Sequence, residues 1–323
     1  MKVIALLPVK NEAWVLPHTL ACLSGFCDVV LVHDQQSTDG SREIAARFPK
    51  VVWIESPDSK ICEQARWHLW DVARQYDGHN LLWCTDADEL VSPPRVRAFL
   101  DRRRSELRDG VVVDALYCHV WNDPAIYRTG LGGYAPYWKA VAIVDDRRRE
   151  YDRSRSLPFH EERVPIAADS VRLHADDAPV FHLQWLLPNR SQMRQAWYRC
   201  REWLHGERGC RAINEQYAGT LPEWHVPTSR IPAEWLDGLT LPDSAVDKEP
   251  PWQYAEIIAW FDTRGIEFFE PLEMWHVPLL RQEFRRRTGR NPRSDRSHHL
   301  PLSRRTRSLG LRAWNAMRRR LAL

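Results

Sequence analysis

Three acidic side chains lie within four positions of the stretch LLWCTDADEL, residues 81–90: Asp86, Asp88 and Glu89. They follow an apolar run, and like charges at this spacing repel one another and gain nothing from burial. Such a cluster is either a solvated turn or a cation site. Mg²⁺ and Mn²⁺ prefer oxygen ligands, and a cation held by one or two carboxylates keeps positions open for phosphate oxygens. The elements that position the cluster decide between the two.

The first 90 residues alternate between short apolar runs and helical patterns. The apolar runs read as four strands, which are KVIALLPV, DVVLVHD, KVVWIES and HNLLWCTD. Between them, apolar residues recur at helical spacing. Near-continuous apolar strands separated by helices predict a mostly parallel sheet covered on both faces. The predicted fold class is therefore α/β and doubly wound, with helices flanking the sheet.

Polar side chains follow three of these predicted strands. Asn11 and Glu12 follow the first strand, Asp34 ends the second, and Asp86 and Asp88 follow the fourth. Ligands of doubly wound sheets bind beyond the carboxyl ends of the strands, so this convergence favours a cation site over a solvated turn. The chain has neither G-x-G-x-x-G nor G-x-x-x-x-G-K-[ST], which argues against a dehydrogenase and a P-loop enzyme.

Composition indicates a globular protein of a reducing compartment. The chain has 323 residues, of which 44% are hydrophobic, and its seven cysteines are scattered without a C-x-x-C pair. This spacing argues against a disulfide framework and a zinc ribbon. The apolar run before Lys10 is short and no small-residue cleavage site follows, so we expect no signal peptide. We expect a cytoplasmic protein, soluble or peripheral at the inner face of the membrane.

Positive charge is concentrated at the C-terminal end. Residues 285–323 contain thirteen arginines and one acid, Asp295, which gives +12 and leaves −9 for residues 1–284, since the net charge is +3. Trp314, Met317 and Leu321 share a helical face among these arginines, a pattern that suits an anionic membrane surface. Docking on the acidic body of the protein explains the tail equally well. Nucleic-acid binding ranks third, because the aromatic residues are not interleaved with basic ones.

Four segments in this order resemble family 2 glycosyltransferases of the GT-A fold: LLPVKNEAWVL, VVLVHDQQSTDGSRE, EQARWHLW and LLWCTDADEL. The resemblance is good over residues 1–92 and continues more thinly to about residue 205. It implies a glycosyltransferase domain at 1–205, with a nucleotide-sugar half at 1–92 and an acceptor half at 93–205. A Pro- and Trp-rich loop with a helical extension would follow at 206–284, and the Arg-rich tail at 285–323 would end a helical and irregular C-terminal region.

The resemblance also implies roles for single residues. The nucleotide sugar would be bound by Asn11, Glu12, Asp34, Arg66 and Asp86. Mn²⁺ or Mg²⁺ would be held by Asp86, Asp88 and His182. Other readings stay open at three of these positions: Asp34 as the start of a turn, Arg66 in a surface pair with Glu63, and His182 as a packed core residue. Glu89 is expected only to begin the next turn.

The acceptor hydroxyl needs a group that takes its proton. His160, Glu161 and Glu162 in LPFHEERVP are the candidates, although the family's usual acidic pair before a helix is not clearly matched there. The resulting hypothesis is a metal-dependent, inverting glycosyltransferase with a nucleotide-sugar donor and a cell-surface glycan or lipid-linked saccharide as acceptor. The alternatives are a nucleotidyltransferase acting on sugar phosphates and a catalytically inactive protein that binds glycans or a membrane surface.

Overall fold

The computed structural model describes residues 1–57, 64–130, 135–151, 153, 163–218, 226–243 and 251–295. The described chain divides into two compact units. The first comprises residues 1–128, 136–184 and 229–246, and the second comprises residues 129–135, 185–228 and 247–323. The boundaries between these two units do not coincide with the segment boundaries predicted from the sequence at residues 205 and 284. Those two boundaries stay predictions.

The first unit begins with the predicted alternation of strands and helices. Its elements are β1 (Val3–Val9), α1 (Leu16–Phe26), β2 (Val29–Asp34), α2 (Ser41–Ala45), β3 (Val51–Glu55), α3 (Gln64–Ala73) and β4 (Leu81–Cys84). The four strands are parallel in the order β3-β2-β1-β4. β1, β2 and β4 are almost completely buried, because helices cover both faces of a parallel sheet. This confirms the four predicted strands.

The register of these strands sets the carboxyl edge of the sheet. Val9 at the end of β1 is opposite Asp34, and Leu6 is opposite Cys84 at the end of β4. The chain segments that leave the three strands therefore emerge side by side. On one face of the sheet, the ring of Trp83 packs edge-on against Phe26 of α1 at 4.9 Å between centroids.

Antiparallel strands extend the sheet on the β4 side. The elements are β5 (Glu89–Val91), α4 (Pro93–Arg102), β6 (Val112–Trp121), β7 (Ile126–Arg128), β8 (Tyr137–Val144) and β9 (Arg172–Trp185), with β10 (Thr228–Arg230) at the edge. β8 pairs with β4 and β6, and β5 pairs with β9, all antiparallel. Ser92 accepts a hydrogen bond from the Arg95 N–H and so caps α4, which Pro93 opens. The predicted α/β class of the GT-A type is confirmed, with a mixed sheet in which β1 to β4 are parallel.

The second unit is helical over its described residues. It contains α5 (Pro188–Leu204), α6 (Cys210–Gln216), α7 (Trp252–Arg264), a short 3₁₀ helix (Ile266–Phe269) and α8 (Pro278–Thr288). Its core is aromatic, with the ring of Trp197 5.5 Å from Trp252 and 5.9 Å from Trp260. Much of the high tryptophan content therefore supports packing. No helix of the described chain is both long and apolar enough to span a bilayer.

Helix α8 extends past residue 284, after which the Arg-rich tail was predicted to begin. Residues 285–288 form the last turn of α8, where Arg287 pairs with Glu283 on the same helix and with Asp262 of α7. The neighbouring arginines lower the pKa of Glu283 to about 2, first through the hydrogen bond that Arg286 donates and then through Arg287, against the opposing effect of burial. The arginines of this turn therefore belong to a folded helix, and residues 296–323, including Trp314, lie outside the described residues.

Candidate active site

The loop after β1 is tied to the loop after β2. Asn11 has a φ of +53°, a left-handed conformation that asparagine tolerates better than most residues. Its N–H donates to Ser37 Oγ at 2.8 Å, and its Oδ1 accepts from the Thr38 N–H at 2.7 Å. The Ala13 N–H donates to Asp39 Oδ2 at 2.8 Å. These bonds fix the shape of the carboxyl edge beyond β1 and β2.

Glu12 and Asp34 lie on this edge and have structural contacts there. Glu12 Oε2 accepts from the indole N–H of Trp14 at 2.6 Å. Asp34 is buried, and both of its carboxylate oxygens accept from the Ser37 N–H, at 3.1 and 3.2 Å. Burial raises the pKa of Asp34, and the Ser37 hydrogen bonds oppose that rise. Asp34 therefore starts the turn after β2, and its role in binding the nucleotide stays a prediction.

Asp86 lies between two guanidinium groups. One oxygen accepts from Arg66 in the first turn of α3, and the other accepts from Arg163. Burial opposes the charged form of Asp86, but Arg163 and Arg66 outweigh it, and the pKa of Asp86 falls below its usual range. The predicted neighbours Arg66 and Asp86 are thus brought together. Glu63, the other partner considered for Arg66, lies outside the described residues.

Glu89 is the main departure from the sequence-based expectation. It does not merely begin a turn: it lies in β5 with only 3% of its surface exposed. Its carboxylate accepts from Arg163, from the Tyr117 hydroxyl and, at 3.2 Å, from Thr85 Oγ1. Burial disfavours the Glu89 carboxylate, but Arg163 more than compensates, and the pKa of Glu89 is lowered.

Arg163 therefore bridges two of the three clustered acids, Asp86 and Glu89. The cluster was predicted to be a cation site, and that stays a prediction; the buried guanidinium of Arg163 also supplies positive charge to two of its acids. The contact between Arg163 and Glu89 could not be predicted from residue spacing, because 74 positions separate the two residues. The buried ion pair forms because the fold brings residue 163 next to Glu89 in β5.

Asp88 and His182 lie next to each other, as predicted. His182 Nε2 is 3.6 Å from Asp88 Oδ2, and both residues are buried. The pairing of β5 with β9 sets Glu89 opposite His182, and the Leu183 N–H donates to the Asp88 carbonyl at 2.8 Å. Asp86 faces the arginines instead, and within the described chain no three His, Cys, Asp or Glu side chains form a metal-binding group. The predicted set of three ligands stays a prediction.

Four more side chains complete the described surroundings and were not identified from the sequence: His119, Tyr117, Tyr137 and Lys139. His119 Nδ1 is 3.0 Å from His182 Nδ1. The Lys139 ammonium lies 4.2 Å from the centroid of the Tyr117 ring. Burial and then Arg163 lower the pKa of Lys139 to about 8, against the opposing charges of Glu89 and Asp86. Tyr137 is 40% exposed beside Tyr117.

The proposed catalytic bases cannot be placed in this arrangement. His160, Glu161 and Glu162 all lie outside the described residues, and their roles stay predictions. Arg163, which follows them directly, is the first described residue after this segment. Its two carboxylate partners show that the segment returns to the carboxyl edge of the sheet at residue 163.

A parallel half-sheet with acids at its carboxyl edge, extended by antiparallel strands, is the architecture of the GT-A fold. Residues 5–154 match the model of the family described as Glycosyl transferase family 2, and this segment belongs to that family. No curated protein sequence matches the chain. The predicted resemblance to family 2 glycosyltransferases is confirmed over this segment.

Several solved structures resemble parts of the chain. S. aureus TarS 1-349 in complex with UDP-GlcNAc is 18% identical, with 37% of this chain and 35% of that chain covered and a TM-score of 0.31. S. aureus TarS 1-349 alone is 12% identical, with 86% and 81% covered and a TM-score of 0.38. Glucosyl-3-phosphoglycerate synthase from Mycobacterium tuberculosis, in complex with Mg²⁺ and UDP, is 17% identical, with 36% and 43% covered and a TM-score of 0.28. The chain thus spans about a third of the first of these structures.

Proposed function

We propose that the protein transfers a sugar from a nucleotide-diphosphate donor to an acceptor hydroxyl, with inversion at the sugar carbon. The observation that carries this proposal is the convergence of Asp34, Asp86 and Asp88 on one sheet edge within a family 2 glycosyltransferase segment. The acceptor is proposed to be a cell-surface glycan or a lipid-linked saccharide.

Asp88 and His182 are the residues that would hold a divalent cation. The carboxylate oxygen of Asp88, just before β5, and the imidazole nitrogen of His182 in β9 lie 3.6 Å apart, so both could reach one ion. A mixed oxygen and nitrogen set fits Mn²⁺, whereas Mg²⁺ prefers oxygen alone. The side chains present therefore fit a metal at this position. When bound, such an ion supplies Lewis-acid stabilisation of the charge on a departing diphosphate.

The cationic side chains near Asp86 are proposed to share that task. Arg66 and Arg163 hold Asp86 ionised, and guanidinium groups match phosphate oxygens in geometry and charge. Lys139 adds a half-buried ammonium beside them. Fixed positive charge placed where negative charge develops favours the transition state. His160, Glu161 and Glu162 are the proposed candidates for taking the acceptor proton.

Calorimetry with nucleotides tests this proposal. We expect UDP or GDP to bind, and Mn²⁺ to tighten that binding by about 10-fold or more, because the ion offsets the diphosphate charge. A panel of nucleotide sugars, scored for hydrolysis with and without Mn²⁺, then identifies the donor. Binding of a nucleoside triphosphate together with a sugar phosphate would favour the nucleotidyltransferase alternative. Absence of any nucleotide binding would leave the inactive glycan-binding alternative.

We separately propose that residues 296–323 contact an anionic membrane. The protein would then be located at the inner face of the membrane. Its support is the concentration of arginine in this segment. A truncation after Asp295 keeps α8 and the bond from the Asn214 side chain to the Asp295 carbonyl. We expect the full chain, but not the truncated one, to sediment with phosphatidylglycerol vesicles, and neither to sediment with phosphatidylcholine. Equal sedimentation of the two chains would contradict the proposal.

A further inference from the structure

His119 faces the residue proposed to hold the metal, and nothing in the family resemblance assigns it a role. It lies in β6, is 5% exposed, and places Nδ1 3.0 Å from Nδ1 of His182. The other ring nitrogen of His182, Nε2, faces Asp88 at 3.6 Å. His182 is thus held from both sides, by a carboxylate at Nε2 and by a second imidazole at Nδ1.

A hydrogen bond between two imidazole nitrogens contains one proton, because one nitrogen donates and the other accepts. Two arrangements satisfy this contact when both rings are neutral. In one, His119 donates from Nδ1, and His182 carries its own proton on Nε2, toward Asp88. In the other, His182 donates from Nδ1 to His119, and Nε2 of His182 presents a lone pair. Only the second arrangement leaves Nε2 able to bind a metal.

We infer that His119 is a positioning residue for the divalent cation. It accepts the Nδ1 proton of His182 and so directs the Nε2 lone pair of His182 toward the ion beside Asp88. This inference rests on the proposed metal-dependent function. Residues that orient a metal-ligating histidine in this way contribute about 10- to 100-fold to metal affinity or activity.

The packing around the pair keeps both rings in the orientation that this role requires. His119 meets the Tyr117 ring edge-on, with 5.3 Å between centroids and 82° between ring planes, and Tyr117 is anchored through its hydroxyl to buried Glu89. His182 packs against Tyr117 as well, at 5.2 Å. A ring flip of either histidine would break the contact between the two Nδ1 atoms. The arrangement therefore fixes which nitrogen of His182 points to Asp88.

Mn²⁺ affinity in the presence of UDP tests the inference without measuring catalysis. Free Mn²⁺ is followed by electron paramagnetic resonance for the full chain and for two variants. His119→Phe removes the acceptor, and we expect about 10- to 100-fold weaker Mn²⁺ binding. His119→Asn retains an acceptor oxygen near the position of Nδ1, and we expect most of the affinity to return. Thermal unfolding in the presence of EDTA measures any effect of either substitution on the fold.

Nitrogen-15 NMR of the imidazoles in the unsubstituted protein provides a second test, which needs no stable variant. With UDP and Zn²⁺, a diamagnetic ion that accepts imidazole nitrogen, we expect His182 to carry its proton on Nδ1 and His119 to carry its proton on Nε2. A proton retained on Nε2 of His182 overturns the inference, as does unchanged Mn²⁺ affinity in His119→Phe. If the unsubstituted protein binds UDP but no Mn²⁺, the metal proposal fails and this inference fails with it.

Discussion

Replacing Asp88 by asparagine (Asp88→Asn) is expected to reduce sugar transfer by about 100- to 1,000-fold or more and to leave the fold intact. The side chain is buried beside His182, and the substitution keeps its shape while removing its charge. The backbone carbonyl of residue 88 still accepts from the Leu183 N–H, so the pairing of β5 with β9 is retained. What is lost is the anionic oxygen proposed to hold the cation.

The measurement is the initial rate of donor turnover with the nucleotide sugar that the panel identifies, at several Mn²⁺ concentrations. Asp101→Asn is the matched control: this residue is exposed on α4, away from the carboxyl edge of the sheet, and we expect its turnover to equal that of the unsubstituted protein. Circular dichroism should be the same for all three proteins. An Asp88→Asn variant with normal turnover would show that the site assignment is wrong.

The parallel half of the fold was predictable because its signals are local. Each of the four strands is an apolar run in the sequence, and three of them, β1, β2 and β4, are almost completely buried. Parallel strands also align their carboxyl ends, so the order of elements alone predicted that Asp34, Asp86 and Asp88 would lie on one edge. Arg66 of α3 was named only because of the resemblance to family 2 glycosyltransferases, and the structure brings it to Asp86 on this edge.

The partners of these acids were not predictable in the same way. Tyr117 and His119 lie two positions apart in β6, among apolar residues. A tyrosine or histidine in such a strand is usually predicted to be part of the core. The sequence just before Arg163, LPFHEE, has no periodicity. Arg163 contacts Asp86 and Glu89, which lie more than 70 positions earlier in the chain. Sequence spacing reports neighbours within a helix or strand, whereas these contacts join separate elements.

One element was missed although its signals were present. Helix α8 begins at Pro278 and ends before Gly289, which has a φ of +71°, and this is the usual pairing of proline at the start with glycine at the end. The run of arginines predicts a basic tail, whereas Pro278 and Gly289 predict the two ends of a helix. Phe284, fully buried on the same helix, shows that the segment packs as a core element.

Replacing Arg163 by methionine (Arg163→Met) is expected to lower the free energy of unfolding by about 3–5 kcal/mol, because it leaves the Glu89 carboxylate charged and buried without its main partner. The Glu89 and Arg163 side chains are 1% and 6% exposed. Folding lowers the pKa of Glu89, so the pair contributes stability at pH 7, above the ordinary pKa of glutamate, and the contribution is lost as the pH falls through the lowered value. Denaturant unfolding followed by circular dichroism at pH 7 measures the loss.

Arg42→Met is the matched control, because Arg42 makes the same type of ion pair with Glu55 where the two side chains are 69% and 61% exposed. Water screens that pair, and its loss should change stability by no more than about 1 kcal/mol. Combining Arg163→Met with Glu89→Gln removes the stranded charge and keeps an acceptor for the Tyr117 hydroxyl, so the double variant should be more stable than Arg163→Met alone. If Arg163→Met and Arg42→Met have equal effects, Arg163 does not neutralise the buried acids, and a bound cation again becomes the main candidate for that role.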